Sequence, residues 1–397
     1  MTPRPASTQA VRLKKNLERA IAHGHPWLFR EALTPLQAPA GTVVDVLDRR
    51  GRFIAKGLWD TGPIAVRIFS LVNRPLDAAF FATRIDEALG LREVAVPPHT
   101  DASRLIHGEG DRLPGLVVDR YGPYAIVILD NDAIDAHRDT IVDALLPALA
   151  RRNIPHVALR QGRGPTRQLL PLAGELPPRI LMVSERGMTL AVNLHDGQKT
   201  GLFLDHREAR FAIRALCAAL PAPRVLNLYG YTGGFSVAAG LGGASEVVTV
   251  DLAKPALDLA EKTWRANGLD PRHHRVHAER VDAFLTRATD APFDIVIADP
   301  PSFAPNESSV TAALKAYRAL HAAALLRVRD GGYYLAASCS SHIHRDAFEG
   351  TVRDAAHEKK RSIQVLQRMG AGMDHPVPLG FAQGDYLTTL LCRIHRR

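Results

Sequence analysis

Beyond about residue 190, short apolar runs alternate with amphipathic stretches. Residues 224–228, 247–250, 275–278, 295–298 and 333–337 predict five strands. Each lies between turn-formers, and four of the five are nearly continuous in apolar side chains, as strands covered on both faces must be. Between them, residues 253–266 place Ala256, Leu257, Ala260 and Trp264 on one helical face and stop at Asn267-Gly268, a good helix C-terminal signal. Strand, turn and helix in alternation predict an α/β domain with a doubly wound parallel sheet.

The first part of the chain has another rhythm. Residues 1–75 carry β-like runs at 42–47 and 64–69, with turn signals at Arg50-Gly51 and Thr61-Gly62-Pro63. They predict a small β-barrel-like module. A helix over 75–93 leads through Pro97-Pro98 into a block with strand runs at 116–118 and 125–129 and a helix near 139–150, a small α+β unit. The expected division is therefore 1–75, 76–189 and 190–397. Residues 160–167 form a basic, glycine-rich loop to which no role is assigned, since a flexible hairpin tip explains it equally well.

Charge sharpens this picture. The chain of 397 residues has a formal net charge of +9, and 12 Lys or Arg against 5 Asp or Glu within residues 1–75 account for +7 of it. Clustered cations favour a polyanionic partner because they release counterions from phosphates. Residues 1–10 contain Pro3 and Pro5 without an apolar core, and no stretch approaches the length of a membrane span, so a cytoplasmic protein without membrane contact is expected. Three cysteines, Cys217, Cys339 and Cys392, show no metal-ligand or redox spacing. Any special cysteine acts alone, and Cys217 in a helical apolar run and Cys392 in the final strand read as structural.

The 224–228 strand runs into Tyr229-Gly230-Tyr231-Thr232-Gly233-Gly234-Phe235, followed by small helical residues at 236–240. The next strand ends in Asp251, 18 positions after Gly233 (251 − 233), where a carboxylate can accept both hydroxyls of a ribose. Nicotinamide enzymes usually show G-x-G-x-x-G, which brings a pyrophosphate to a helix N-terminus. That spacing is missing here, and S-adenosylmethionine, which has no phosphate, fits the loop better. Asp282, after the third strand, can reach an adenine amino group, or it serves only as a helix N-cap.

Two further loops end strands at the same sheet edge. Asp299-Pro300-Pro301-Ser302-Phe303 is stiffened by its prolines and offers an acid for a base's polar edge and an aromatic for its face, unless it is merely a structural turn. Ser338-Cys339-Ser340-Ser341-His342 follows the fifth strand. Carbon 5 of a pyrimidine is a poor nucleophile until a thiolate adds to carbon 6, so Cys339 is the candidate nucleophile, with packing as its bland alternative. A free thiol ionises near pH 8.5, and His342, His344 or Arg345 are expected to supply the positive charge that holds a thiolate. Reading Cys339, His342 and His344 as metal ligands finds no fourth ligand, so no metal is expected.

Taken together, His23-Gly24-His25-Pro26-Trp27-Leu28-Phe29, His107-Gly108-Glu109-Gly110-Asp111 with Leu113-Pro114-Gly115-Leu116, the run Gly197-Gln198-Lys199-Thr200-Gly201-Leu202-Phe203-Leu204-Asp205, the glycine loop, the Asp299 and Cys339 loops and Gly384-Asp385-Tyr386-Leu387 cover nearly the whole chain. In these motifs it resembles the bacterial 23S ribosomal RNA 5-methylcytosine methyltransferases that carry an N-terminal PUA domain. Tyr229-Gly230 and Leu202 depart modestly from that pattern. The resemblance implies a PUA domain for RNA docking, a central α+β domain and a Rossmann-like class I methyltransferase domain ending in an antiparallel strand. It implies S-adenosyl-L-methionine held by Tyr229, Gly230, Thr232, Gly233, Phe235, Asp251, Leu252, Asp282 and Asp299. It further implies Cys339 and Asp299 in catalysis, and Pro300, Phe303, Lys199 and Asp205 around the substrate base in 23S ribosomal RNA. Methylation of an exocyclic base nitrogen and a non-catalytic RNA-binding assembly role remain as alternatives, and the oligomeric state stays open, a homodimer included.

Overall fold

The structure, a computed structural model, describes residues 9–162, 164–287 and 291–397. Residues 1–8, with Pro3 and Pro5, and Arg163 of the basic loop lie outside the described residues. The chain forms two compact units, Met1–Pro178 with Met373–Gly384 and Arg179–Gly372 with Asp385–Arg397.

In the first unit, the β-like runs expected near residues 42 and 64 form strands Val43–Leu47 and Ile64–Ser70. They belong to a five-stranded sheet in the order Gln9–Arg12, Val43–Leu47, Phe53–Trp59, Ile64–Ser70, Trp27–Phe29. Only its Gln9–Arg12 edge pairs in parallel, against Val43–Leu47. A second five-stranded sheet, in the order Gln168–Ala173, His156–Gln161, Tyr124–Leu129, Leu116–Tyr121, Ala102–His107, packs with helices Ala78–Ala95 and Arg138–Ala150. Asp77 caps the first of these helices, accepting the Phe80 amide at 2.9 Å. Leu58 and Phe69 from the first sheet share one core with Phe81, Ile85 and Leu145 from the helices. That shared core is why both sheets belong to one unit.

Met373–Gly384 joins this unit from far along the sequence. Arg92 grips Asp111 through both guanidinium ends, at 2.6 and 2.7 Å, and donates to the Asp374 carbonyl at 2.8 Å. Phe381 packs edge-on against Trp27, with 4.6 Å between ring centroids. These contacts bury polar groups only in hydrogen-bonded pairs, as a dry interior requires.

Besides the hairpin Leu181–Glu185 and Met188–Val192, the second unit is built on a seven-stranded sheet: β1 (Arg224–Leu228), β2 (Glu246–Asp251), β3 (His274–Ala278), β4 (Phe293–Ala298), β5 (Val328–Ser338), β6 (Arg361–Met369) and β7 (Thr388–Arg396). Their order is β3-β2-β1-β4-β5-β7-β6. The first five run parallel, and β7 lies antiparallel between β5 and β6. Helices α1 (Arg207–Ala218), α2 (Gly234–Leu241), α3 (Lys254–Ala266), α4 (Val281–Arg287), α5 (Val310–Leu325) and α6 (Arg345–Glu358) connect or cover them. The five predicted strands are all present. Strand order reverses between β1 and β4, so the crevice beyond their carboxyl ends is where such a sheet takes a ligand. Beneath β1 lies a buried polar chain, in which Asn227 donates to Ser236 at 2.8 Å, Ser236 meets Thr249 at 2.7 Å, and Thr249 meets His274 at 2.8 Å. Among the described residues, no helix is long and apolar enough to cross a membrane.

Candidate active site

The loop after β1 is shaped by backbone that few side chains tolerate. Tyr229, Tyr231 and Gly233 all have positive φ, at 59°, 46° and 78°. A Cβ on Gly233 would sit 2.7 Å from the Ala260 Cβ of α3, and one on Gly230 would sit 2.3 Å from the Thr249 side chain. Both glycines therefore permit a close approach that any larger residue would block.

Asp251 fixes this loop from the end of β2. Its Oδ2 accepts the Tyr231 amide at 2.9 Å and its Oδ1 accepts the Ala253 amide at 2.8 Å. Each oxygen keeps a further lone pair, so the carboxylate is oriented and can still receive a vicinal diol. Leu252, 70% exposed, stands beside it as an unusual open apolar side chain. Asp282 lies in the first turn of α4, with its carboxylate on Arg280 at 2.6 Å and on the Ala283 amide at 2.9 Å. The helix starts at Val281, so Asp282 is inside its first turn rather than at the cap.

Tyr229, Gly230, Thr232, Phe235, Asp251, Leu252 and Asp282 line a single cleft of about 910 Å³ together with Asp299, Pro300, Phe303 and Cys339, whereas Gly233, Lys199 and Asp205 are not among its lining residues. The structure thus gathers residues spread from 198 to 339 along the chain. Asp299 follows β4 and lies 3.3 Å from His206 Nε2. His206 is buried against Phe235, and its Nδ1 has no hydrogen-bond partner among the described residues. Phe303 tilts onto Tyr317, whose hydroxyl meets the Ser338 Oγ at 3.0 Å and so ties down the strand end that presents Cys339.

Lys199 and Asp205 form a cluster of their own. The Lys199 ammonium donates to Asp205 Oδ2 at 2.5 Å, lies over the Phe203 ring at 4.6 Å, and faces the Tyr386 ring at 5.6 Å. The Tyr386 hydroxyl donates to the same carboxylate oxygen at 2.6 Å. Lys199 itself has a left-handed backbone, φ 48°, in a loop that Tyr231 closes by accepting the Gln198 amide at 2.8 Å. Arg210 supports this loop from α1. It grips Glu185 at 2.7 and 2.6 Å, with both side chains buried, and donates to the Phe203 carbonyl at 2.9 Å.

Electrostatics at Cys339 differ from expectation. Burial first, and then the Asp299 charge, push its thiol up to about 11, and the opposing cation is Lys199. The charge that acts on Cys339 is thus not supplied by His342, His344 or Arg345; Arg345 reaches Asp385 at 3.4 Å instead. Sequence spacing favoured near neighbours, whereas the loop before α1 brings a lysine 140 positions away (339 − 199). His206, Phe203, Arg210 and Tyr386 were not singled out for the site. The motif of residues 197–205 ends one residue before His206, and extending it would have reached that side chain.

The fold and this site define a class: a doubly wound parallel sheet whose glycine loop and oriented Asp251 carboxylate open on one cleft at the switch point, where such enzymes take a nucleoside-containing cofactor. A family model for S-adenosylmethionine-dependent methyltransferases matches residues 104–376, and one for the PUA-like domain matches residues 11–71. Ribosomal RNA large subunit methyltransferase I of Salmonella arizonae is 34% identical over 392 residues, covering 96% of each chain. The protein of the same name from Klebsiella pneumoniae is 34% identical and covers 96% of this chain and 97% of its own. A methyltransferase structure complexed with SAH superposes with a TM-score of 0.85 at 25% identity, covering 97% of this chain and 99% of that one. A protein from Streptococcus mutans assigned as a SAM-dependent methyltransferase shares the fold, with a TM-score of 0.85 at 24% identity and coverage of 97% and 100%. The chain belongs to the S-adenosylmethionine-dependent methyltransferases that carry an N-terminal PUA-like domain, and S-adenosylmethionine is its cofactor. The residues present fit that cofactor, since Asp251 offers a pre-oriented diol acceptor and Leu252 an apolar flank, on a loop that Gly230 and Gly233 let pack closely against Thr249 and Ala260.

Proposed function

We propose that this enzyme methylates carbon 5 of a cytosine in 23S ribosomal RNA through a covalent adduct with Cys339. The single observation that carries this reading is that Cys339 lines the same cleft as Asp251 and Asp299. The names of the large-subunit ribosomal RNA relatives support the substrate. Bound S-adenosylmethionine supplies an electrophilic methyl group. Asp251 holds the ribose, with Tyr229, Gly230, Thr232, Gly233 and Phe235 shaping the loop around it, and Leu252 and Asp282 flank the adenine. Asp299 accepts the exocyclic amino group of a flipped cytosine, while Pro300 and Phe303 pack against its face. Cys339, once deprotonated, adds to carbon 6 and makes carbon 5 nucleophilic; after methyl transfer the carbon 5 proton leaves and the carbon–sulfur bond breaks, which releases the thiolate. Lys199, held by Asp205, is the cation that favours the thiolate.

In this proposal residues 1–75 dock RNA, 76–189 form the central block and 190–397 carry out the chemistry, in the cytoplasm. A second reading, methylation of an exocyclic nitrogen, draws support from the high-lying Cys339 thiol, because that reaction needs no thiolate. Methyl transfer from radiolabelled cofactor to ribosomal RNA from a strain lacking this protein, followed by nucleoside mass spectrometry, separates the two. We expect labelled 5-methylcytosine, lost in Cys339→Ala. Label on an exocyclic nitrogen, or transfer retained by that variant, would overturn the carbon 5 reading.

A further inference from the structure

Outside the cleft, the β6 edge of the seven-stranded sheet contains a second cavity, of about 260 Å³, between α6 and strands β6 and β7. Arg361, the first residue of β6, lines it and is only 6% exposed. Its backbone is used in the ladder opposite Arg396, but its guanidinium has no ion-pair or hydrogen-bond partner among the described residues, and its Nε is buried without one. Every other arginine of comparable depth discussed above, Arg92 and Arg210, grips a carboxylate through two nitrogens. An unpaired buried guanidinium is costly to a fold and strongly attractive to an arriving anion.

The rest of the cavity suits that role. Arg353 and Arg397 line it as well, and Val352, Ile363 and Leu390 give it an apolar floor that strengthens any charge interaction within it. The lining carboxylate, Glu349, is already engaged by Arg368 at 2.8 and 2.9 Å. Burial first, and then the like charge of Arg396, lower the pKa of Arg361, against the Asp330 carboxylate, which raises it without forming an ion pair. A planar guanidinium matches the oxygens of a phosphate group bidentately, and Arg353, exposed and 3.4 Å from Asp354, stands at the rim rather than beside it.

We propose that this cavity is an anion site that takes one phosphate group on Arg361, with Arg353 and Arg397 at its rim. The phosphate comes from the RNA backbone or from free inorganic phosphate. The RNA source rests on the RNA-substrate reading above; the site itself does not depend on the chemistry at Cys339.

The test uses the full-length protein and the variants Arg361→Met and Arg361→Lys, with calorimetric binding of S-adenosylmethionine as the check that both are folded. Binding of a ribosomal RNA fragment is measured against salt. For an RNA phosphate, Arg361→Met lowers the slope of log affinity against log salt by about 0.7–0.9, a loss of about four- to fivefold near 0.15 M salt, whereas Arg361→Lys keeps most of the slope. For a free phosphate, the RNA slope is unchanged, but about 10 mM inorganic phosphate raises the melting temperature of the wild type and not that of Arg361→Met. If Arg361→Met alters neither the RNA salt slope nor the response to phosphate, the site is refuted, even with methyl transfer to cytosine intact.

Discussion

The thiol of Cys339 offers a sharp test of the site's electrostatics, independent of RNA and cofactor. With its pKa pushed up to about 11, roughly one molecule in a thousand carries a thiolate at pH 8, against about one in four for an ordinary cysteine near 8.5. Alkylation of Cys339 by iodoacetamide at pH 8 should therefore run about two hundredfold slower than that of an unperturbed thiol. The rate should climb about tenfold per pH unit from pH 7 to 10 without levelling. Peptide mass spectrometry reads it site by site, and Cys217 and Cys392, buried and pushed up to about 12, serve as slower internal references. Removing the like charge in Asp299→Asn should speed alkylation at pH 8, and removing the cation in Lys199→Met should slow it. A wild-type rate that levels off below pH 9, or variants that leave it unmoved, would refute the account of burial and opposed charges.

Two further outcomes concern stability. Glu185→Ala leaves the Arg210 guanidinium buried without its carboxylate and should cost about 3–5 kcal/mol, read from urea unfolding; a loss under about 1 kcal/mol would mean that water or the Phe203 carbonyl already satisfies Arg210. Burial pulls His274 down to about 4 and His321 to about 3. The unfolded chain takes up these protons near pH 6.5 and the folded chain only near 4 and 3, so their contribution is present above pH 6.5 and is lost as pH falls through that window. His274→Asn should flatten the decline in stability between pH 6 and 4, and an unchanged decline would exclude His274 as a cause.

Much of the second unit was legible because its signals are local. The apolar runs of β1, β2, β4 and β5 mark strands on their own, and β3 reads from its flanking turns. The 310–325 and 345–358 helices and the β6 edge strand were not identified, and the 207–218 helix shows in the sequence only as a helical apolar run around Cys217. β6 is mostly exposed, with Val365 at 38% and Leu366 at 52%, so its pattern lacks the buried alternation that identifies a strand. The strand Gln168–Ala173 contains Pro171, which a sheet tolerates only where an amide is not needed, so composition argued against it. The Asp299 and Cys339 loops could be read as neighbours because strands β4 and β5 are consecutive and parallel.

By itself, then, the sequence determined the doubly wound sheet, the glycine loop with Asp251, and the edge at which Asp299 and Cys339 stand. Backbone periodicity, turn chemistry and the short reach of β–α connections set these within a few tens of residues. Only the tertiary structure decided that Lys199 rather than a histidine near Cys339 supplies the charge, and that Tyr386 shares Asp205 with it. It alone showed that His206 stands beside Asp299, that residues 373–384 rejoin the first unit, and that Arg361 is buried without an ion-pair partner among the described residues. Those outcomes depend on which distant segments pack together and which charges remain unmatched in a low-dielectric interior, a balance that no local pattern of residues encodes.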